Sequence, residues 1–278
     1  MAFVRMCLAL AICAGGLVLT LAAAPRTALA QELPAADFIA VDGFEALQAM
    51  RVETMELRDP HLFGQMFGCI DLTSAINGLL AEELTGDADE DGFLDSSPML
   101  LFRPLHTSGR RGLGQAGSAA CTTPAASTSC QADVTPTLPL AYDSLATGTC
   151  LAPLPGTTGG YSPAVAPATG PCFVADATGL DLVLGSITAL LREPGIAASR
   201  RDNPQPGLSN GLFSGFLTEQ AANALELELP LLGTVPLSSL LPGGSGNCAS
   251  HSDKDLHEGE PGWWFYFNFS ASQVPYQE

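Results

Sequence analysis

Positive charge is scarce in this sequence: 11 lysines and arginines stand against 29 aspartates and glutamates, and Lys254 is the sole lysine. The first thirty residues hold two of the basic residues and no acid, so the formal charge beyond residue 30 is 9 − 29 = −20. Binding to phosphate groups requires clustered lysine and arginine. The composition therefore argues against nucleic acid or an anionic membrane as a partner, and it favours solubility and cation binding.

Long apolar runs are absent beyond the first thirty residues, so no later segment is expected to cross a bilayer. At the start, Arg5 precedes an uninterrupted apolar run at 6–24. A proline then breaks the helix, and Ala-Leu-Ala at 28–30 offers small residues where a signal peptidase reads them. This order predicts a signal peptide at 1–30. The alternative is an uncleaved membrane anchor, because the apolar run is nearly long enough to span.

The rest of the chain, 31–278, is expected to form a single exported domain in the periplasm, at the cell surface or outside the cell. No membrane contact is expected after signal cleavage. The sequence contains no internal repeat, and its share of hydrophobic residues, 46%, is enough for a real core.

The sequence also lacks a C-x-x-C pair, which argues against a structural zinc site. Six cysteines lie beyond residue 30: Cys69, Cys121, Cys130, Cys150, Cys172 and Cys248. An even number in an exported chain predicts three disulfides, and fifteen pairings are open. Because loop closure is easier between near neighbours, the expected pairs are Cys121–Cys130 and Cys150–Cys172. Cys69–Cys248 then remains as a long-range disulfide.

Helical periodicity is limited to short segments. Apolar residues recur at helical spacing over 72–84, where Asp71 or Thr73 is expected to cap the start. Gly86 lies just past the end, where a left-handed residue is expected. A second, brief helix is expected at 217–225. The segment at 37–58 has no firm period, and no element is predicted there.

Strands are expected at 99–105, 172–177, 180–191 and 229–235, and the clearest one lies at 263–271. In that last segment Trp263, Phe265, Phe267 and Phe269 point one way, while Trp264 and Tyr266 point the other. Aromatic residues in strict alternation fit a pleated surface with one face buried.

The region at about 108–170 is rich in Gly, Pro, Ser and Thr, and four of the cysteines fall in or beside it. This composition predicts turns and extended connections that disulfides would stabilise. Short strands separated by turn-rich loops favour a mainly β, disulfide-stapled, β-sandwich-like domain with one or two short amphipathic helices.

The segment GDADEDGFLD at 86–95 contains four aspartates, of which the first three lie at alternating positions. Calcium takes six to eight oxygen ligands, and a twelve-residue loop supplies them at alternate positions. With Asp87 as position one, Asp89 and Asp91 take positions three and five, and a glycine takes position six. Phe93 would then donate its backbone carbonyl at position seven, and Asp95 would lie at position nine. The spacing predicts a Ca²⁺ site; a solvated acidic loop without an ion is the alternative.

These ten residues resemble the calcium loop of an EF-hand, and equally the aspartate-rich loops of dockerin and thrombospondin type-3 repeats. The resemblance implies an incoming helix, which the periodic segment at 72–84 would supply. It stops at position twelve, where a bidentate acid is expected and Pro98 stands instead. This departure implies weak binding without a helix-opening switch. Asp253 and Asp255, in a second acidic segment, are candidates for the missing ligand.

The segment at 248–260 gathers the other candidates for metal chemistry, including His251, His257 and Glu258. Histidine at this density is compatible with zinc or another transition metal. However, no H-E-x-x-H motif is present, and a glycine-rich segment precedes it. A solvated polar loop held by a disulfide is the simpler interpretation.

The segment GLSNG at 207–211 matches the G-x-S-x-G pattern of a hydrolase nucleophile, with Ser209 in the central position. That motif requires a strand before it and a helix after it. The preceding Pro-Gln-Pro argues against such a strand, so a turn is expected here.

Together these features predict an exported calcium-binding structural or binding protein, adhesion-like, whose ion makes a helix–loop–strand unit rigid. A cell-surface or extracellular ligand is a further expected partner of unknown identity. One alternative is a carbohydrate-binding module that stacks sugars on Trp264 and Tyr266. The other is a secreted serine- or metal-dependent hydrolase, although the chain is not expected to be an enzyme.

Overall fold

Strands dominate the computed structural model, which describes residues 47–278 except 107–108, 134–136, 177–180, 185–186 and 230–231. The helices are α1 (Thr73–Thr85) and α2 (Glu219–Ala224), with short 3-10 turns at Ala125–Ser127 and Leu237–Leu240. The strands are β1 (Gln48–Asp59), β2 (Phe63–Gln65), β3 (Cys69–Asp71), β4 (Pro98–Phe102), β5 (Arg111–Cys121), β6 (Cys130–Ala132), β7 (Leu138–Leu145), β8 (Thr149–Leu151), β9 (Ala168–Thr169), β10 (Cys172–Asp176), β11 (Asp181–Leu184), β12 (Ile187–Leu190), β13 (Arg192–Arg201), β14 (Gly207–Thr218), β15 (Glu226–Leu229), β16 (Gly233–Pro236), β17 (Asp255–His257), β18 (Glu260–Gln273) and β19 (Tyr276–Gln277).

Eight of these strands pair antiparallel in a closed ring, in the order β1, β18, β14, β13, β10, β7, β5 and β4, and β4 pairs back to β1. The prediction of a mainly β domain with disulfides and short helices is confirmed. The β-sandwich is wrong, because β5 pairs with both β4 and β7 and thereby closes the sheet into a barrel. The sequence indicates which strands are amphipathic, but closure depends on pairings between distant strands.

The interior of the barrel holds the main core. Every barrel strand contributes to one cluster of buried apolar side chains, among them Phe102 of β4, Phe173 of β10, Phe213 of β14 and Phe267 of β18. Leu80 and Leu84 of α1 pack in the same cluster. Since apolar burial provides most of the driving force for folding, this cluster explains why the ring closes.

The outer face of β14 and β18 is also buried. Alternate side chains of β18 therefore enter two different cores, and neither face of the strand is exposed to solvent. Trp264 and Tyr266 pack with Leu212 and Phe216, which point away from the interior cluster. Residues 152–166, called the strap below, cover this face within the loop that Cys150–Cys172 closes. The Tyr266 hydroxyl accepts from the Leu154 amide at 3.0 Å and lies 2.6 Å from the Thr157 hydroxyl.

The three disulfides are the expected pairs. Cys121–Cys130 and Cys150–Cys172 close short loops, with sequence separations of 9 and 22 residues, and Cys69–Cys248 is the remaining long-range pair, with a separation of 179 residues. Three disulfides indicate a non-reducing compartment of the kind that exported proteins occupy. Residues 1–30, where the signal peptide is predicted, lie outside the described residues. Neither helix in the described ranges has the length and apolar character needed to cross a bilayer.

Most of the predicted local elements are present. Helix α1 covers 73–85, and α2 lies within the helix expected at 217–225. Strands β4 and β10 overlap the strands expected at 99–105 and 172–177. Strand β18 contains the whole segment expected at 263–271. The segment expected as one strand at 180–191 is instead the antiparallel pair β11 and β12. The strand expected at 229–235 overlaps a second such pair, β15 and β16.

Two glycine predictions are wrong for different reasons. Gly86 is extended, with φ −85° and ψ 167°, rather than left-handed. A Cβ there would lie 2.6 Å from the Glu82 carbonyl oxygen, so close approach to α1 requires glycine at this position. The turn expected at 207–211 is the beginning of β14, where the register to β18 shifts between Leu208 and Gly211. A bulge of this kind accommodates glycine inside a strand.

Candidate metal sites

The aspartate loop connects α1 to β4, and its first three aspartates converge. Carboxylate oxygens of Asp87, Asp89 and Asp91 all lie within 4.8 Å of one another. Each Asp87 oxygen accepts a backbone hydrogen bond at 3.0 Å, one from Asp91 and one from Gly92. The chain can curl around Asp87 in this way because Gly92 is left-handed, with φ +90°. Three carboxylates in so small a volume form an all-oxygen donor set, which suits a hard cation such as Ca²⁺.

The other two predicted ligands, Asp95 and Phe93, lie in the same loop and form hydrogen bonds or strand pairing with the backbone. The Asp95 carboxylate accepts from the Ala88 amide, at 3.0 and 3.1 Å to its two oxygens. Phe93 forms an isolated bridge with Thr122, and its amide donates to Asp91 Oδ1 at 2.8 Å. Both residues therefore close the loop on itself, and Asp87, Asp89 and Asp91 are the carboxylates gathered in one group.

Backbone contacts attach the loop to the barrel. The Leu94 amide donates to the Cys121 carbonyl at 2.8 Å, and the Thr123 amide donates to the Gly92 carbonyl at 3.0 Å. Leu94 is buried against the Cys121–Cys130 disulfide. At the other end, the Ser96 amide donates to the Glu83 carbonyl in the last turn of α1 at 3.0 Å. The loop therefore connects the helix, the β5–β6 edge and β4.

The second acidic segment lies elsewhere, under the strap. Asp253 Oδ2 accepts a hydrogen bond from the Tyr161 hydroxyl, which is also 2.6 Å from His251 Nε2. The Tyr161 ring stacks on His61 at 3.8 Å. Burial raises the pKa of Tyr161, and the neighbouring Asp253 carboxylate raises it further. Among the described residues, the two metal-capable groups include neither Asp253 nor Asp255.

A buried carboxylate that the sequence did not single out completes this region. Asp59 ends β1, is 2% exposed, and accepts from the Gly159 amide of the strap at 2.8 Å. Its second oxygen has no hydrogen-bond partner within the described ranges. Burial raises the pKa of Asp59 to about 7; the Gly159 amide opposes this shift, and the charges of Asp253 and Asp255 add to it. In the sequence, Asp59 is a single aspartate before a proline, and no pattern around it indicates that its side chain is buried.

Ser209, the candidate nucleophile, lies inside a strand, and His257, in the other candidate segment, is packed against aromatic rings. Ser209 lies in β14 opposite Ser199, and β14 continues as a strand to Thr218 before the short helix α2 begins. His257 packs against Phe216 and Trp264 at ring-centroid distances of 5.0 and 5.1 Å.

The residues considered for sugar stacking are buried. Trp264 is 7% exposed and Tyr266 is 1% exposed, because the strap covers them. Sugar stacking needs an accessible aromatic face, and neither ring offers one here.

The chain matches no protein-family model, no curated protein and no solved structure.

Proposed function

We propose that this chain is an exported calcium-binding structural or binding protein, in which Ca²⁺ makes the unit of α1, the aspartate loop and β4 rigid. The observation that supports this proposal most directly is the convergence of the Asp87, Asp89 and Asp91 carboxylates within 4.8 Å. The local resemblance to EF-hand, dockerin and thrombospondin type-3 loops is part of the same proposal. The cell surface, the periplasm and the extracellular space are the compartments it implies.

The physical role of the ion follows from the charges it would neutralise. Without a cation, three carboxylates at this distance repel one another, and the loop loses part of the stability that its backbone hydrogen bonds provide. A bound Ca²⁺ would reverse that repulsion and hold the loop on the β5–β6 edge through Leu94 and Thr123. The Phe93 carbonyl and Asp95, directly or through water, are the proposed additional ligands. The proposed partner is a cell-surface or extracellular ligand that binds the rigid unit of α1, the aspartate loop and β4.

The proposed affinity is low, because β4 begins at Pro98 where a bidentate acid would complete the loop. A dissociation constant of about 10⁻⁴–10⁻³ M is typical of extracellular calcium modules. At a calcium concentration about a hundredfold above the dissociation constant, binding stabilises the folded state by about 2.7 kcal/mol. For a chain of this size that free energy raises the melting temperature by about 5–10 °C.

The experiment is a thermal melt of the processed protein in EDTA, in a calcium series and in the same series of magnesium. Calcium is expected to raise the melting temperature, and magnesium to do much less, because magnesium gives up its water reluctantly and requires a tight octahedron. Asp89→Asn should abolish most of the calcium effect, whereas Asp202→Asn, at an exposed aspartate paired with Arg200, should retain it. Identical melts in all three media, with intact disulfides, would mean that the loop is only a solvated acidic turn.

A further inference from the structure

A second group of candidate ligands lies between β13 and the β17–β18 hairpin. One ligand atom each from Glu193, His257 and Glu258 lies within 4.8 Å of the other two. His257 and Glu258 were visible in the sequence as part of a polar segment, whereas Glu193 is 64 residues away from His257 along the chain. The closed ring of strands brings them together.

The backbone at each end of the group turns the side chains toward one another. Glu193 has φ +46° and lies where the register between β13 and β14 shifts, between Arg192 and Gly195. Bulges of this kind re-aim a side chain. Glu258, with φ +52°, is in the two-residue turn between His257 and its pairing partner Glu260.

An ion pair fixes the two elements beside the group. Arg192 Nη2 lies 2.8 Å from Glu260 Oε2 and so connects the beginning of β13 to the beginning of β18. The position of Glu193 relative to His257 therefore does not depend on a flexible loop alone.

The imidazole of His257 supplies the observation that points to a ligand. Its Nε2 atom is inaccessible to solvent and has no hydrogen-bond partner within the described part of the chain. The nearest acid atom is Glu193 Oε2, at 3.5 Å, which is too long for a good hydrogen bond. Buried polar atoms are almost always satisfied, so one left open requires an explanation.

The ring of His257 is also held in place independently of the acids. It lies in tilted contact with Phe216 and edge-on to Trp264. On its other side, Nε2 lies 3.5 Å from Glu193 Oε2. By contrast, Glu193 is 60% exposed, so the group opens to solvent on its acidic side.

We propose that Glu193, His257 and Glu258 bind a transition-metal ion of the Zn²⁺ type, through one imidazole nitrogen and two carboxylate oxygens, with water completing the coordination. The mixed donor set separates this site from the aspartate loop. Imidazole with carboxylates suits zinc and its neighbours in the first transition series, whereas calcium prefers oxygen alone. The ion would give Nε2 the partner that it lacks and cancel the repulsion between the two glutamates.

The test is isothermal titration of the processed protein with ZnCl₂, accompanied by the ¹⁵N spectrum of the histidine rings. Zinc is expected to bind with one equivalent and to shift the Nε2 resonance of His257. Glu193→Gln, at a side chain that is 60% exposed, should weaken binding by more than about tenfold, since even loss of an outer partner of a ligand costs about 10–100-fold. His257→Gln should do at least as much.

Three control variants make the test specific. Glu226→Gln, at an exposed glutamate of β15, should leave the zinc affinity unchanged. Asp89→Asn and His251→Gln should also leave it unchanged, which excludes the aspartate loop and the Tyr161 cluster as the zinc site. If wild type binds no zinc, or if Glu193→Gln and His257→Gln bind it as tightly as wild type, the proposal is wrong. His257 is then a histidine that pairs with Glu193 only. The calcium melts are unaffected by either result.

Discussion

Replacing Asp59 with asparagine should remove a pH dependence of stability that this one carboxylate causes. Asp59 is almost fully buried at the end of β1, where desolvation penalises its charged form and raises its pKa from 3.8 to about 7. The Gly159 amide favours the charge but does not offset the burial, and Asp253 and Asp255 oppose the charge further. Asparagine has nearly the same shape and can still accept from Gly159.

The sign and size of the effect follow from linkage. The folded chain keeps a proton on Asp59 that the unfolded chain releases above about pH 4, so this stabilising contribution is fully present at acidic pH and is lost as the pH rises to about 7. A shift of about three units at 1.36 kcal/mol per unit corresponds to about 4 kcal/mol. That is an upper value, because the strap can relax around an ionised carboxylate.

The assay is urea unfolding of wild type and Asp59→Asn at several pH values from 4 to 8, with disulfides intact. The free energy of unfolding of the variant should rise relative to that of wild type by up to about 4 kcal/mol across this range. Other groups also titrate: the pKa of Asp255 is raised by burial and by Asp253. Their contributions are shared by both proteins to a first approximation, so the difference between the two curves reports Asp59.

An exposed aspartate provides the control. Asp202→Asn, at a side chain 67% exposed, should give a curve parallel to that of wild type. If the Asp59→Asn curve also runs parallel to wild type from pH 4 to pH 8, then Asp59 is not held protonated under the strap, and the reasoning fails.

Three further predictions concern covalent and backbone constraints. Alkylation of the unreduced, processed protein followed by mass measurement should find no free thiol, since all six cysteines beyond residue 30 are paired; two or more labelled cysteines would contradict this. Gly78→Ala should raise the free energy of unfolding by roughly 0.5–1 kcal/mol, because the position is inside α1 and, apart from the backbone of that helix, no atom of the described residues lies within 4 Å of an added Cβ. Gly244→Ala should lower it by about 1–3 kcal/mol, because the added Cβ would lie 1.8 Å from the Ser238 carbonyl oxygen. Urea unfolding measures both, and equal effects of the two substitutions would refute the packing argument.

Local chemistry made part of this structure predictable. The period of α1, the alternation of β18 and the pairing of near-neighbour cysteines each depend on residues close in the chain. The convergence of Asp87, Asp89 and Asp91 is likewise local, since these aspartates lie within five consecutive residues. These are the features for which one stretch of sequence contains the whole physical cause.

The features that were missed depend on distant partners. Strand β1 has no clear period, because Arg51 and Asp59 are buried within it alongside Met50 and Val52. The burial of Asp59 is caused by the strap, 100 residues away. Glu193 joins His257 only through the register of the closed ring. The outer core on β18 was missed because the sequence does not indicate that a turn-rich segment covers it.

The pairing of β1 with β18 also has a consequence for the order in which this protein can fold. Strand β18 comes after the other seven barrel strands in the chain, and it is the one that joins β1 to β14. Until it is available, β1 and β14 each have an unpaired edge, and the ring cannot close. Contacts between such distant segments form slowly, because the chain loses conformational entropy on closing the long loop before the new contacts stabilise it. A chain emerging N-terminus first on the far side of a membrane would therefore expose two open strand edges until β18 arrives, and that interval is when it would be most prone to pair with another copy.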